Sequence, residues 1–405
     1  MQYRGLVDQH IPLKLPLEDP VQLFSYGDKI HRFGCVTIET AILQGWKFQL
    51  FGPTLNLNKS FAGSVGGNAI DKLVFLSNLA KQLRESTTVV FIDAFDVVVQ
   101  RSPASSLPDA LDASQVMFGA ESNCYPFKRV DHGYHCNIFQ GDAYLNTRKH
   151  APHNGGGGPF LPGEIRPVGC ILQDSLMPNS SLDPSTCYLN SGMSTGRVAG
   201  YRSLVTAVSE IMGVLPSVCL EDQGIISWLY GNQMTPLKLD YNSTIFGNVR
   251  NVHSVFNDST CLWELHSPYS RHVSIPTFLH HNGPKTDISM FRNKLVECIF
   301  DKNHDRYLAY MTNATFYLDG VETKFSDYCS GHYSPDPYRS HPDGTLLICH
   351  KVIYLFTNAT IRAFPNIGVF ASWGHDLSQV VRVNCDALGK IPEGSPMETR
   401  PSGLK

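Results

Sequence analysis

The run Thr88-Val89-Val90-Phe91-Ile92 constrains the fold of this chain more than any other segment. It is apolar and β-branched without alternation, so a strand formed there has no face to offer to water. Such a strand belongs inside a sheet covered on both sides by helices. Two carboxylates, Asp93 and Asp96, follow at its carboxyl end, the edge at which open α/β sheets bind ligands. A strand continuing straight would send positions three apart to opposite faces. A shared ligand therefore requires the backbone to turn after Asp93. Paired carboxylates suit hard divalent cations such as Mg2+ or Mn2+; a helix-capping Asp93 beside a solvated Asp96 is the plain alternative.

The flanking sequence repeats the α/β signal. Val21–Ser25 is a short apolar strand, Ile30 to Leu43 has helical spacing, and Trp46–Phe51 alternates like a strand. Residues 68–83 form an amphipathic helix with Ile70, Leu73, Val74, Leu76 and Leu79 on one side. Further strands are expected at Gln115–Ala120, Cys187–Leu189, Leu237–Leu239 and Thr277–His280, with helices at Leu204–Met212 and Asp222–Tyr230. Strands alternating with helices imply a mainly parallel sheet flanked by helices. Residues 125–167, rich in Gly and Pro and carrying His132, His135 and Cys136, read as a long insertion. Residues 1–20 form an extension, 21–290 the main domain and 291–340 a connecting region. Short β-type runs at Thr345–Cys349, Val352–Phe356, Thr360–Ala363 and Val380–Val383 make 341–396 a small β-rich module, with 397–405 as a tail.

Composition narrows the partners. With 33 Lys+Arg against 36 Asp+Glu the net charge is −3, so the basic footprint of a nucleic-acid binder is absent. No apolar run reaches the roughly 18 residues of a transmembrane helix. The first twenty residues lack an apolar signal core. Eleven cysteines and N-x-Ser/Thr triplets at Asn58, Asn179, Asn242, Asn257, Asn313 and Asn358 nevertheless fit an oxidising compartment. The expectation is the secretory pathway (ER/Golgi lumen) or the extracellular space, with a targeting segment either missing from the start of the sequence or wrongly represented there. Cys170 with Cys187 and Cys349 with Cys385 are among the pairings open to the cysteines.

Five motifs occur in order: the acidic pair, Phe118-Gly119-Ala120-Glu121-Ser122-Asn123-Cys124-Tyr125-Pro126, Tyr188-Leu189-Asn190-Ser191-Gly192-Met193, Leu220-Glu221-Asp222-Gln223, and Phe278-Leu279-His280-His281-Asn282-Gly283-Pro284-Lys285. Together with Val65-Gly66-Gly67 and Lys72 they resemble the glycosyltransferase domain of the procollagen lysyl hydroxylase/glycosyltransferase (PLOD-like) family over about residues 21–285. The resemblance implies a GT-A-type, Rossmann-like sheet. It implies Asp93, Asp96 and His280 as ligands of Mn2+, with Mg2+ as the second choice. Phe95 stands where the family has a tyrosine near the nucleotide, and Tyr125 replaces a tryptophan beside the sugar. Asn190 and Ser191 match the loop approaching the sugar, and Glu221 and Asp222 match the acidic pair on the acceptor side.

Several of these residues have ordinary alternatives. Lys72 serves the donor diphosphate or is a solvated helix lysine. In the run Asn282, Gly283 and Lys285, the glycine would let backbone approach the phosphates and the lysine would contact them. Asp222 is a general base or an N-cap. The function implied is metal-dependent transfer of glucose or galactose from a UDP-sugar donor to a protein or glycan hydroxyl acceptor, hydroxylysine being one possibility. The rival is a non-catalytic carbohydrate-binding or surface-assembly protein on the same scaffold. The iron-dependent hydroxylase of full-length relatives is not expected, because His341-Pro342-Asp343 lies in a turn with about sixty residues after it.

Overall fold

The computed structural model describes residues 10–16, 18–27, 32–52, 67–105, 112–121, 188–212, 222–249, 252–266, 272–281, 288–329, 344–349, 351–357, 360–375, 377, 380–382 and 392–400. The chain divides into two units, Met1–Asn303 with Ala309–Cys329, and His304–Leu308 with Ser330–Lys405.

The first unit opens with β1 (Val21–Tyr26), α1 (Arg32–Leu43), β2 (Phe48–Phe51), α2 (Gly67–Gln82) and β3 (Thr88–Asp93). β1 pairs in parallel with β2 on one side and β3 on the other. Val89, Val90, Phe91 and Ile92 are at most 1% exposed, as an unalternating strand demands. After a turn come β4 (Val97–Val99), β5 (Val116–Glu121), β6 (Tyr188–Arg197), α3 (Val198–Met212), α4 (Asp222–Gly231) and β7 (Leu237–Asp240). The apolar sides of α2, α3 and α4 meet over one sheet face, where Leu73, Leu76, Leu204, Val208, Ile225 and Leu229 are buried together. Burial of these faces, rather than intrinsic helix propensity, is what stabilises the three helices.

The main sheet has the order β14-β13-β2-β1-β3-β6-β5-β7. Its outer strands β13 (Thr315–Leu318) and β14 (Val321–Lys324) come from the stretch read as a connecting region. β13 joins β2 in parallel, so chain beyond 290 completes the sheet edge. The β1–β2, β1–β3, β2–β13 and β5–β7 pairs are parallel, whereas β3–β6, β5–β6 and β13–β14 are antiparallel. The α/β class with a mainly parallel sheet holds, with β6 reversed in its middle. That reversal sets the middle of β6 beside the end of β3, through the pair Ile92↔Met193.

Two small sheets complete the unit. β8 (Phe246–Asn248) and β4 flank β12 (Phe278–His280). β9 (His253–Asn257), β10 (Leu262–His266) and β11 (Val273–Ser274) form an antiparallel sheet. Helix α5 (Ile288–Ile299) follows, then α6 (His304–Thr312), whose residues His304–Leu308 are grouped with the second unit, and α7 (Phe325–Cys329). Disulfides Cys35–Cys329 and Cys261–Cys298 tie α1 to α7 and the β9–β10 turn to α5. No helix of the described residues is long and apolar enough to cross a membrane.

The second unit holds a four-stranded sheet, β17-β16-β15-β18, built from β15 (Thr345–Cys349), β16 (Val352–Thr357), β17 (Thr360–Phe364) and β18 (Val380–Arg382). The β-rich module is therefore present. It also contains α8 (Ile367–Ser372), N-capped by Asn366, whose side chain accepts from the Val369 amide at 3.0 Å. Met397, expected in the tail, is 2% exposed and packs with Leu346, Phe364 and Phe370. Cys349 is disulfide-bonded; Cys385, Cys170 and Cys187 lie outside the described residues.

Candidate functional site

β3 ends at Asp93, the chain bends through Ala94–Asp96, and β4 starts at Val97. This is the turn the spacing requires if both carboxylates are to share a ligand. β4 pairs antiparallel with β12 through Val97↔His280, and the His281 amide donates to the Asp96 carbonyl at 2.7 Å. An imidazole 184 positions beyond Asp96 is thereby fixed beside it. His280 Nε2 lies 3.4 Å from Asp96 Oδ1 and 3.6 Å from Asp93 Oδ2. The three ligand atoms fall within 4.8 Å of one another.

These separations and donors suit a divalent cation. Ligands bound at about 2.1 Å lie roughly 3 Å apart when adjacent and 4 Å when opposite. Two oxygens with one imidazole form a hard to borderline set. The His280 and Asp96 side chains are 5% and 11% exposed, whereas Asp93 is 29% exposed, so the site opens on the Asp93 side. Burial alone would lower the His280 pKa, but Asp96 and then Asp93 outweigh it and hold the ring above its ordinary value. Burial pushes the Asp93 carboxyl up; the Lys72 ammonium opposes that, and Asp96 reinforces it. His281, next in sequence, is different. Burial drives its pKa down to about 3, and its ring stands edge-on to Phe291 with centroids 4.5 Å apart.

Lys72 projects from α2 to join the carboxylates of Asp93 and Asp222. Its Nζ lies 2.7 Å from Asp93 Oδ1 and 2.7 Å from Asp222 Oδ2. Burial opposes the charge, but Asp222 and Asp93 outweigh it and hold the ammonium above its ordinary pKa. Asp222 opens α4, where a carboxylate also benefits from the helix dipole. The Ser191 hydroxyl donates to Asp222 Oδ2 at 2.9 Å. The Ser191 amide donates to Gln223 Oε1 at 3.2 Å, and Gln223 in turn donates to Glu121 Oε1 at 2.7 Å. Asn190 Oδ1 accepts from the Gly192 amide at 2.9 Å. Phe95 turns its ring against the backbone just after β1 and along α1: an added Cβ at Gly27 would meet it at 2.6 Å, and one at Gly34 at 3.1 Å.

Of the residues singled out from sequence, the structure brings together Asp93, Asp96, His280, Lys72, Asp222 and Ser191, with Asn190 adjoining through Gly192. Glu221, Tyr125, Asn282, Gly283 and Lys285 lie outside the described residues, as do His132, His135, Cys136 and His341-Pro342-Asp343. Glu121 and Gln223 sit inside quoted motifs without a role read for them, and Asn248 carries no sequence signal. Gly192 is set by space. A Cβ there would lie 2.5 Å from His280 Cε1 and 2.7 Å from Asp93 Oδ2. Gly192→Ala is expected to displace His280 and Asp93 and weaken divalent-cation binding roughly 10- to 100-fold, the loss usual when groups that orient ligands are disturbed. Calorimetric titration checks it, and an unchanged affinity would show that the ligands can move aside freely.

Residues 37–151 match the family described as the PLOD GT domain, agreeing with the resemblance carried by the motifs. No curated protein matches the chain. Solved structures with similarity include the bifunctional glycosyltransferase WbbM, at 13% identity and TM-score 0.38, covering 72% of this chain and 52% of that one. Another is the galactosyltransferase LgtC in complex with donor and acceptor sugar analogues, at 12% identity and TM-score 0.34, covering 69% and 95%. The chain thus spans about half the length of WbbM.

Proposed function

We propose that this chain, whose residues 37–151 match the PLOD GT domain family and whose main sheet is a mainly parallel α/β sheet, is a metal-dependent hexosyltransferase on a GT-A-type scaffold. It would move glucose or galactose from a UDP-sugar to a hydroxyl on a protein or glycan, hydroxylysine being one such acceptor. The observation that carries this reading is the convergence of Asp93, Asp96 and His280 from the end of β3, the following turn and β12.

A divalent cation held by these three residues, Mn2+ in preference to Mg2+, would act as a Lewis acid for the departing diphosphate. The protein's own groups have separable tasks. Asp93, 29% exposed, forms the open side through which donor phosphates reach the site. Lys72 is close enough to serve those phosphates as a point charge. Moving its ammonium from Asp222 to the donor would leave Asp222 held by Ser191, with a carboxylate oxygen ready to accept the acceptor's proton in an inverting reaction. In a retaining reaction Asp222 would instead orient the acceptor. Ser191 and Asn190 line the approach to the sugar, and Phe95 offers an aromatic face near the nucleotide. Glu221, Tyr125, Asn282, Gly283 and Lys285 are assigned to the same donor and acceptor contacts by resemblance. The Cys35–Cys329 and Cys261–Cys298 disulfides and the disulfide-bonded Cys349 support a secretory or extracellular setting.

The direct test is UDP release from UDP-glucose, UDP-galactose and UDP-N-acetylglucosamine, with and without a hydroxylysine peptide. One hexose donor is expected to turn over with Mn2+, and chelation to lower the rate at least about 100-fold, since Lewis-acid stabilisation is worth several kcal/mol. Saturable sugar binding without UDP release from any donor would instead favour the non-catalytic reading.

A further inference from the structure

The metal-facing nitrogen of His280 is selected by a residue that none of the sequence motifs contains. β12 pairs in parallel with β8, and the register sets His280 directly beside Asn248. Asn248 Oδ1 lies 3.0 Å from His280 Nδ1. On its other side, Asn248 Nδ2 donates to the Ala120 carbonyl of β5 at 2.6 Å. A backbone carbonyl can only accept, so the amide of Asn248 must turn its nitrogen toward Ala120 and its oxygen toward the ring. That oxygen can also only accept, so Nδ1 must carry a hydrogen. The lone pair of the neutral ring is then left on Nε2, the atom facing Asp93 and Asp96. Asn248 and His280 are 6% and 4% exposed, so water is poorly placed to substitute. Backbone pairing locks the arrangement further, as the Val249 amide donates to the His280 carbonyl at 3.0 Å.

We propose that Asn248 is a positioning residue for the cation site: anchored to the Ala120 carbonyl, it fixes the ring orientation and tautomer of His280 so that Nε2 is the ligand. The inference rests on the metal reading of the three-residue cluster and adds to it a partner outside the ligand shell. Groups that orient a ligating imidazole commonly change metal affinity by 10- to 100-fold when removed.

The test measures the protein without donor sugar. Mn2+ binding is followed by calorimetry for the native chain, Asn248→Ala and Asn248→Asp. His280 15N signals are recorded in the Mg2+-loaded protein, and thermal melts check the fold. Asn248→Ala is expected to weaken Mn2+ binding roughly 10- to 100-fold and to shift the Nδ1 signal. Asn248→Asp retains an acceptor for the Nδ1 hydrogen and is expected to recover most of the lost affinity. Native binding with an unaltered alanine variant, or equal weakening by alanine and aspartate, overturns the role of Asn248 alone. A native chain that takes up no Mn2+ overturns the metal reading and this inference together.

Discussion

Asp96→Ala is expected to abolish Mn2+-stimulated UDP release, with a loss of about 1,000-fold or more, corresponding to roughly 4 kcal/mol. Asp96 is the buried member of the acidic pair, 8% exposed, and its Oδ1 stands 3.4 Å from His280 Nε2. Removing the carboxylate takes one oxygen from a three-ligand set and leaves the turn itself intact. The backbone contact to that turn, the His281 amide on the Asp96 carbonyl, does not depend on the side chain. A folded variant with lost metal binding and lost turnover is therefore the expected combination, read from parallel calorimetry, kinetics and thermal melts. Undiminished Mn2+-dependent turnover would remove the metal assignment and with it the mechanism built on Lys72 and Asp222.

The second large effect concerns stability. Arg292 of α5 grips Glu39 of α1 in a bidentate pair, Nε to Oε2 at 2.7 Å and the terminal nitrogen Nη2 to Oε1 at 2.5 Å. Both side chains are almost completely buried, at 3% and 0% exposure. Breaking a buried pair from one side leaves an uncompensated charge, whereas replacing both partners by apolar residues is often close to neutral. Arg292→Ala is therefore expected to destabilise the chain by about 3–5 kcal/mol, seen as a lower denaturation midpoint. The double variant Glu39→Leu with Arg292→Met should recover most of that loss. A single variant within about 1 kcal/mol of native, the range of exposed pairs, would show that Glu39 is compensated in another way.

The clamp matters for the site because α1 supports β4. Thr37 and Thr40 hydroxyls accept from the Val97 and Val99 amides at 3.4 and 3.1 Å. β4 in turn carries the turn that presents Asp96. Loosening α1 is expected to disturb metal binding indirectly, with a smaller loss than Asp96→Ala produces.

Features that depend on near neighbours were legible in the sequence. An unalternating apolar run announces a doubly covered strand, and the acidic pair after it needs a turn that Ala94–Asp96 supplies. The helix face of Ile70, Leu73, Leu76 and Leu79 is buried as its period requires. The β9–β10–β11 sheet was less readable, because Trp263 and Leu265 are deeply buried there while Val255 and Val273 remain exposed. Of β6 only the start was read, as the strand expected at Cys187–Leu189, and its continuation to Arg197 was missed for another reason. Asn190-Ser191-Gly192 lowers its strand signal, and the strand is secured by pairing with β3 and β5.

By itself, then, the order of residues determined the α/β class, the acidic pair and, through family resemblance, the histidine that completes the cluster. Tertiary structure alone decided that β6 runs backwards beside β3, that Lys72 bridges Asp93 to Asp222, and that Asn248 stands against His280. The physical reason is range. Periodicity and turns are set by interactions a few residues apart, whereas strand partners and buried polar contacts between distant segments depend on how the whole sheet packs.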